Sequence, residues 1–172
     1  MINAKKYVDR VLEFVTCTVF ALMVAVTAWQ VISRFILNNP STATEEFVRF
    51  GLIWLSMLAA AYVVGRKGHI AITLLSEKLK DGKKLALGLV IQFGFLFFAA
   101  IIMIYGGSRA VSLTMAQISP SLGIPMGLVY LSLPVSGVLI LFYSSVNILE
   151  LVKEKKEGAP IETQVDNQIK IN

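Results

Sequence analysis

Apolar residues in this chain come in four long blocks, and charge is confined to the joints between them. Phe14 to Ser33 is twenty residues without a charge, Phe50 to Gly65 sixteen, and Leu85 to Gly107 twenty-three. Between Arg109 and Glu150 lie forty more. A helix that crosses a bilayer needs about 20 apolar residues. The blocks therefore predict four transmembrane helices over residues 14–36, 46–66, 85–108 and 125–150. The second block alone makes roughly 24 Å of helix. Phe47 and Val48 lengthen it, with Arg49 and Arg66 snorkelling outward from its ends.

The joints carry start and stop signals. Arg34 and Asn38-Asn39-Pro40 close the first helix, because Pro40 cannot continue one. Ser41 to Thr44 offers caps for the second, and Glu45 and Glu46 sit in its first turn, where the helix dipole favours negative charge. After Arg66, Lys67, Gly68 and His69, the apolar residues Ile72, Leu75 and Leu79 recur at i, i+3 and i+7, with Glu77, Lys78 and Lys80 directed elsewhere. That spacing predicts a short interfacial helix on the membrane surface between helices two and three, ended by Asp81-Gly82. Val111, Met115 and Ile118 suggest that helix three continues or bends along the opposite surface. Ser119 to Gly123 reads as a turn. Pro125 suits the first position of helix four, and Pro134 within it predicts a kink near its i−4 residue, Tyr130. Residues 1–155 form the transmembrane domain; 156–172 are a polar tail expected to be disordered.

Composition agrees with this reading. Of the 172 residues, 56% are hydrophobic and 16% charged, against about 45–50% and about 25% in soluble domains. The net charge of +5 does not suggest nucleic acid, since basic residues stand at the ends of apolar blocks and form no stripe interleaved with aromatics. Their placement instead sets orientation. The amino-terminal segment has Lys5, Lys6 and Arg10, the 66–84 connection has six basic residues, and the carboxy-terminal flank has Lys153, Lys155 and Lys156. The Phe35–Thr44 connection has none, and the next has Arg109 alone. The expected fold is thus an all-α integral membrane protein of four transmembrane helices with both termini cytoplasmic. The amino terminus does not read as a cleaved signal peptide, since no small-residue cleavage pattern follows the first block.

Candidate chemistry is sparse. Cys17, the single cysteine, can form no internal disulfide, and His69, the single histidine, has no partner at metal-ligand spacing. No catalytic residue, metal site or cofactor is expected, and the chain is not expected to be an enzyme. Arg34, Glu45, Glu46 and Arg49 balance in charge. Glu45 and Glu46 stand four and three residues before Arg49, spacings that bring side chains together. They anchor helix ends at the interface or form a charged patch for a partner. Trp29 and Trp54 fit an aromatic belt or a contact with another subunit. Phe93, Phe95, Phe97 and Phe98 suit lipid or a partner better than a cofactor. Small residues recur at Ala21/Ala25, Ser56/Ala60 and Ser132/Ser136, spacings that let helix backbones approach closely, within this chain or against another. A carrier that works alone usually keeps charges or paired broken helices at mid-membrane. Here the strongly polar groups inside spans one and three are Gln30 and Gln92, so the chain reads as part of a larger assembly.

The stretch from Glu45 to Leu75 resembles the small membrane subunit (Q-type, DctQ-like) of tripartite ATP-independent periplasmic (TRAP) transporters. The resemblance rests on Glu45-Glu46, Arg49, Trp54, Ala59-Ala60-Ala61, Arg66-Lys67 and His69-Ile70. Leu122-Gly123-Ile124-Pro125, Tyr130 and Pro134 add to it, and it covers roughly residues 5 to 155. The chain departs from the family pattern at Thr73, where an acid is frequent, at Gly127, where a tryptophan is, and in having alanines alone in the small patch. The resemblance implies a scaffold subunit of a sodium-driven importer of organic acids, of C4-dicarboxylate or sialic-acid type, in a bacterial inner membrane. Its partners would be a large M-type membrane subunit, a periplasmic substrate-binding protein and phospholipid, with sodium coupling in the large subunit. Arg34, Glu45, Glu46, Arg49, Trp54, Arg66, His69 and Tyr130 are then the candidate partner or scaffold residues. The alternative is a small four-helix carrier or channel that works alone as an oligomer.

Overall fold

The computed structural model describes residues 2–39, 41–66 and 81–157. The expected interfacial helix, with Lys67 and His69, and the tail beyond residue 157 lie outside the described residues. Among the described residues the chain is all-α. Helix α1 is Ile2–Phe35, α2 is Thr42–Gly65 and α3 is Asp81–Phe98. A widened π-helical stretch, Ala99–Gly106, leads without interruption into α4, Gly107–Thr114. Helix α5 is Met126–Tyr130 and α6 is Ser132–Glu157. Four continuous spans, Lys5–Phe35, Thr42–Gly65, Leu85–Thr114 and Met126–Lys153, are long and apolar enough to cross a membrane.

Helix α1 starts well before its charge-free block and ends at Phe35. Asn38 adopts a left-handed conformation at φ 49°, which asparagine tolerates better than most residues. The chain then folds back, with the Asn39 N–H donating to the Ser33 carbonyl and Ser33 Oγ donating to the Asn39 carbonyl. Ser41 takes the N-cap position of α2 without a side-chain capping bond. Pro125 stands at the cap of α5, one residue before the first helical position assigned to it from sequence. Near Tyr130, where a kink is expected, the helix is interrupted at a single residue, Leu131, between α5 and α6. Pro134 has no N–H to donate to the Tyr130 carbonyl, so one rung of the helical ladder is missing at that turn.

Helix α6 is the centre of the bundle. It packs against α2, α3 and the π-helical stretch, while α1 packs chiefly on α2. Leu12, Leu58, Ala61, Val64, Ala99, Met103, Ile140 and Tyr143 form the apolar core. The largest fully buried side chains all belong to α6: Ser132, Ser136, Tyr143, Ser144 and Asn147. In lipid the hydrophobic effect cannot drive helices together, so close approach and interhelical hydrogen bonds must do so. Glycines supply the approach. A Cβ at Gly137 would come within 2.9 Å of Met103 and Ile104 in the π-helical stretch, and one at Gly107 within 2.9 Å of Leu133.

Candidate functional site

Polar side chains gather at the two ends of the bundle. At the end where the start of α1 meets α6 near Glu150, α1 presents Lys5, Asp9 and Glu13 at i, i+4 and i+8, one face of a helix. Each engages a different group. Lys5 Nζ donates to Asn147 Oδ1 at 3.1 Å and lies 3.3 Å from Glu150. Asp9 Oδ1 accepts from the Tyr143 hydroxyl at 2.6 Å. Glu13 pairs with Arg66 at 3.5 Å, and the Arg66 guanidinium lies 5.0 Å above the Tyr62 ring. Asn147 is buried and its Nδ2 donates to the Val64 carbonyl at 3.1 Å, which ties α6 to the last turn of α2. A buried amide that both donates and accepts fixes the relative height of the helices it joins, because a one-turn slip would strand it.

Tyr143 pins this end of the bundle. A Cβ on Gly65 would fall 2.6 Å from the ring, so the glycine is what lets α2 and α6 meet. Sequence reading misses this ladder because Met1 to Glu13 reads simply as a polar, basic segment. The available signal is three charged residues at four-residue intervals. Likewise Ser144 and Asn147 extend the Ser132/Ser136 series along the same face of α6. Ser136, Ser144 and Gln92 carry buried oxygens with no hydrogen-bond partner among the described residues.

The opposite end holds most of the residues singled out from sequence. Glu45 does meet a cation, but it is Arg34 of α1 at 3.8 Å, an exposed and loose pair. Glu46 is 8% exposed, and one of its oxygens accepts from the Ser121 N–H at 3.0 Å and the Leu122 N–H at 2.8 Å. Consecutive backbone N–H groups of this kind form an anion-binding concavity, here filled by the chain's own carboxylate. The pairing of Glu45 and Glu46 with Arg49 expected from spacing is therefore replaced by contacts across the bundle. Arg49 is exposed and makes no ion pair among the described residues. Desolvation explains the exchange for Glu46: two backbone donors compensate a buried carboxylate better than a long side chain facing outward.

The loop that Glu46 holds is itself compact. Ser119 N donates to the Ile124 carbonyl, Met126 N to the Gln117 carbonyl, and Gly123 turns the chain at φ 67°. Trp54 Nε1 donates to the Leu128 carbonyl at 3.2 Å, joining α2 to α5. Tyr130 is 37% exposed, Trp29 is 55% exposed, and Phe93, Phe97 and Phe98 are exposed, whereas Phe95 packs on the core. Of the small-residue pairs, Ser132 and Ser136 are buried, while Ala21, Ala25, Ser56 and Ala60 face outward. Among the described residues no three His, Cys, Asp or Glu side chains converge as metal ligands.

Four apolar spans joined by polar contacts at their ends define a multi-pass membrane protein. The chain belongs to the DctQ component family of tripartite ATP-independent periplasmic transporters, whose family model matches residues 23–154. It is similar to the sialic acid TRAP transporter small permease protein SiaQ of Vibrio cholerae, 28% identical over 165 residues that cover 96% of this chain and 95% of that one. A putative TRAP transporter small permease protein of Haemophilus influenzae is 25% identical over 134 residues, 78% of this chain and 83% of the relative. The sialic acid TRAP transporter permease protein SiaT of Haemophilus influenzae is 22% identical over 137 residues, 80% of this chain but 22% of that longer one.

Proposed function

We propose that this chain is the small, non-catalytic scaffold subunit of a sodium-coupled importer of organic acids, of sialic-acid or C4-dicarboxylate type. Its partners are a large M-type membrane subunit and a periplasmic substrate-binding protein, and it needs no cofactor of its own. The carrying observation is where the charges sit. Lys5, Asp9, Glu13, Arg66 and Glu150 are engaged at one end, and Arg34, Glu45 and Glu46 at the other. Between the ends, the buried polar side chains among the described residues are the Ser132, Ser136 and Ser144 hydroxyls of α6 and the Gln92 amide of α3, all uncharged. Gripping a carboxylate or a sodium ion inside the membrane requires charges or opened helix ends facing a cavity. A bundle whose described interior holds no charge between its ends suits a stationary support.

SiaT supports the same reading, since the stretch that resembles this chain is 22% of that permease and accompanies a much longer remainder in one polypeptide. Positive charge gathered near the termini favours their placement on the cytoplasmic side of a bacterial inner membrane. The loop held by Glu46 then faces the periplasm. The outward small residues of α1 and α2 allow a partner's helices to approach closely. Reconstitution tests the proposal. Liposomes holding this chain alone should show no sodium-dependent uptake of sialic acid or of a C4-dicarboxylate, whereas co-expression with a large subunit should yield a complex stable in mild detergent. Uptake by the lone chain would overturn the scaffold reading in favour of the self-sufficient carrier.

A further inference from the structure

We propose that the outward face of the first turns of α1, formed by Lys6, Tyr7, Arg10 and Phe14, is a binding site for one anionic phospholipid. Lys6 and Arg10 are four residues apart, so their side chains stand together on one face of the helix. Each has an acid three residues further on, Asp9 and Glu13, which would ordinarily neutralise it. The fold removes both. Asp9 is committed to the Tyr143 hydroxyl at 2.6 Å and Glu13 to Arg66 at 3.5 Å. The remaining cation of the segment, Lys5, is turned to Asn147 and Glu150. Two exposed cations are left without a partner among the described residues, on the flank of a helix that carries no further charge from Phe14 to Ser33.

Their surroundings indicate what neutralises them. Tyr7 is 73% exposed and Phe14 72% exposed, on the same side of α1 as the two cations. A phenol beside the charges suits the headgroup level, and a bare phenyl one to two turns deeper suits acyl chains. A cation pair above an apolar strip matches a phosphate attached to hydrocarbon tails, whereas free phosphate would gain nothing from Phe14. This inference needs only that the chain sits in a bilayer, and it does not depend on the transport role proposed above.

Native mass spectrometry of the full chain, released from an equimolar mixture of phosphatidylglycerol and phosphatidylcholine, tests it. The wild type should retain phosphatidylglycerol preferentially. Each basic residue near an anionic surface contributes about a fivefold gain, so Lys6→Gln with Arg10→Gln should lower the preference by roughly 10- to 30-fold. Lys6→Arg with Arg10→Lys should keep it, and Arg34→Gln with Arg49→Gln, at the other end of the bundle, should leave it unchanged. Inorganic phosphate at matched concentration should not displace the lipid. Equal lipid retention by wild type and the Lys6/Arg10 double variant would overturn the proposal. So would displacement of the lipid by inorganic phosphate. Thermal unfolding in neutral detergent should be the same for both proteins, which separates lost binding from lost fold.

Discussion

Tyr143 shows how one side chain can hold two helices in register. Its ring fills the space that Gly65 leaves, and its hydroxyl is held by Asp9 from a third helix. Tyr143→Phe deletes the bond to a carboxylate and should cost about 1–3 kcal/mol, read as a lower Tm in mild detergent. Gly65→Ala forces a methyl against a ring that cannot retreat while its hydroxyl is bound, and should cost about 1–3 kcal/mol. The two effects are expected to be non-additive. With Tyr143→Phe already in place the ring is free to shift, so Gly65→Ala should cost less there than in the wild type. Strict additivity would show that Asp9 does not hold the ring in place. Arg66→Gln offers a contrast. Its bridge to Glu13 is half exposed on both sides, and such pairs contribute about 0–1 kcal/mol, so little change in Tm is expected.

Among the elements, the Ser119–Ile124 loop depends most visibly on a residue far from it in sequence. Its own bonds close the turn, but Glu46 of α2 supplies the acceptor for the Ser121 and Leu122 N–H groups. Glu46→Ala leaves those donors unsatisfied and should lower stability by about 1–3 kcal/mol, with faster proteolysis between residues 119 and 124. Glu46→Gln keeps one acceptor oxygen and should lie between the two. Protease sensitivity unchanged in Glu46→Ala would mean that the loop holds its shape unaided. The spacing to Arg49 is legible in the sequence, yet it points to the wrong partner. Helical neighbours three and four residues apart always compete with the rest of the fold, and a buried site with two backbone donors wins over an exposed guanidinium.

For the molecule as a whole, the outward small residues carry the test. Ala25→Leu and Ala60→Leu enlarge exposed positions, so the isolated chain should keep its Tm. Recovery of the large subunit by co-purification should fall several-fold if those faces meet its helices. Full recovery would place the interface elsewhere on the bundle. A lowered Tm would instead show that these alanines support the chain's own packing.

Four apolar spans, the helix break close to Tyr130 and membership of the DctQ family were readable from the chain because each rests on local information. Runs of uncharged residues match the thickness of a bilayer, a proline lacks one donor, and short motifs keep their order. The partners of the charged and polar side chains were not readable in this way. Asp9 finds Tyr143, Glu46 finds Ser121 and Asn147 finds Val64 across 134, 75 and 83 positions of sequence. Periodicity places a residue on a face of its helix; which neighbour that face meets depends on how four helices pack. The folding of the bundle therefore turned an apparently basic terminal segment into a ladder of contacts to α2 and α6 with a bare cationic flank, and an apparent surface ion pair into a buried clasp for a distant loop.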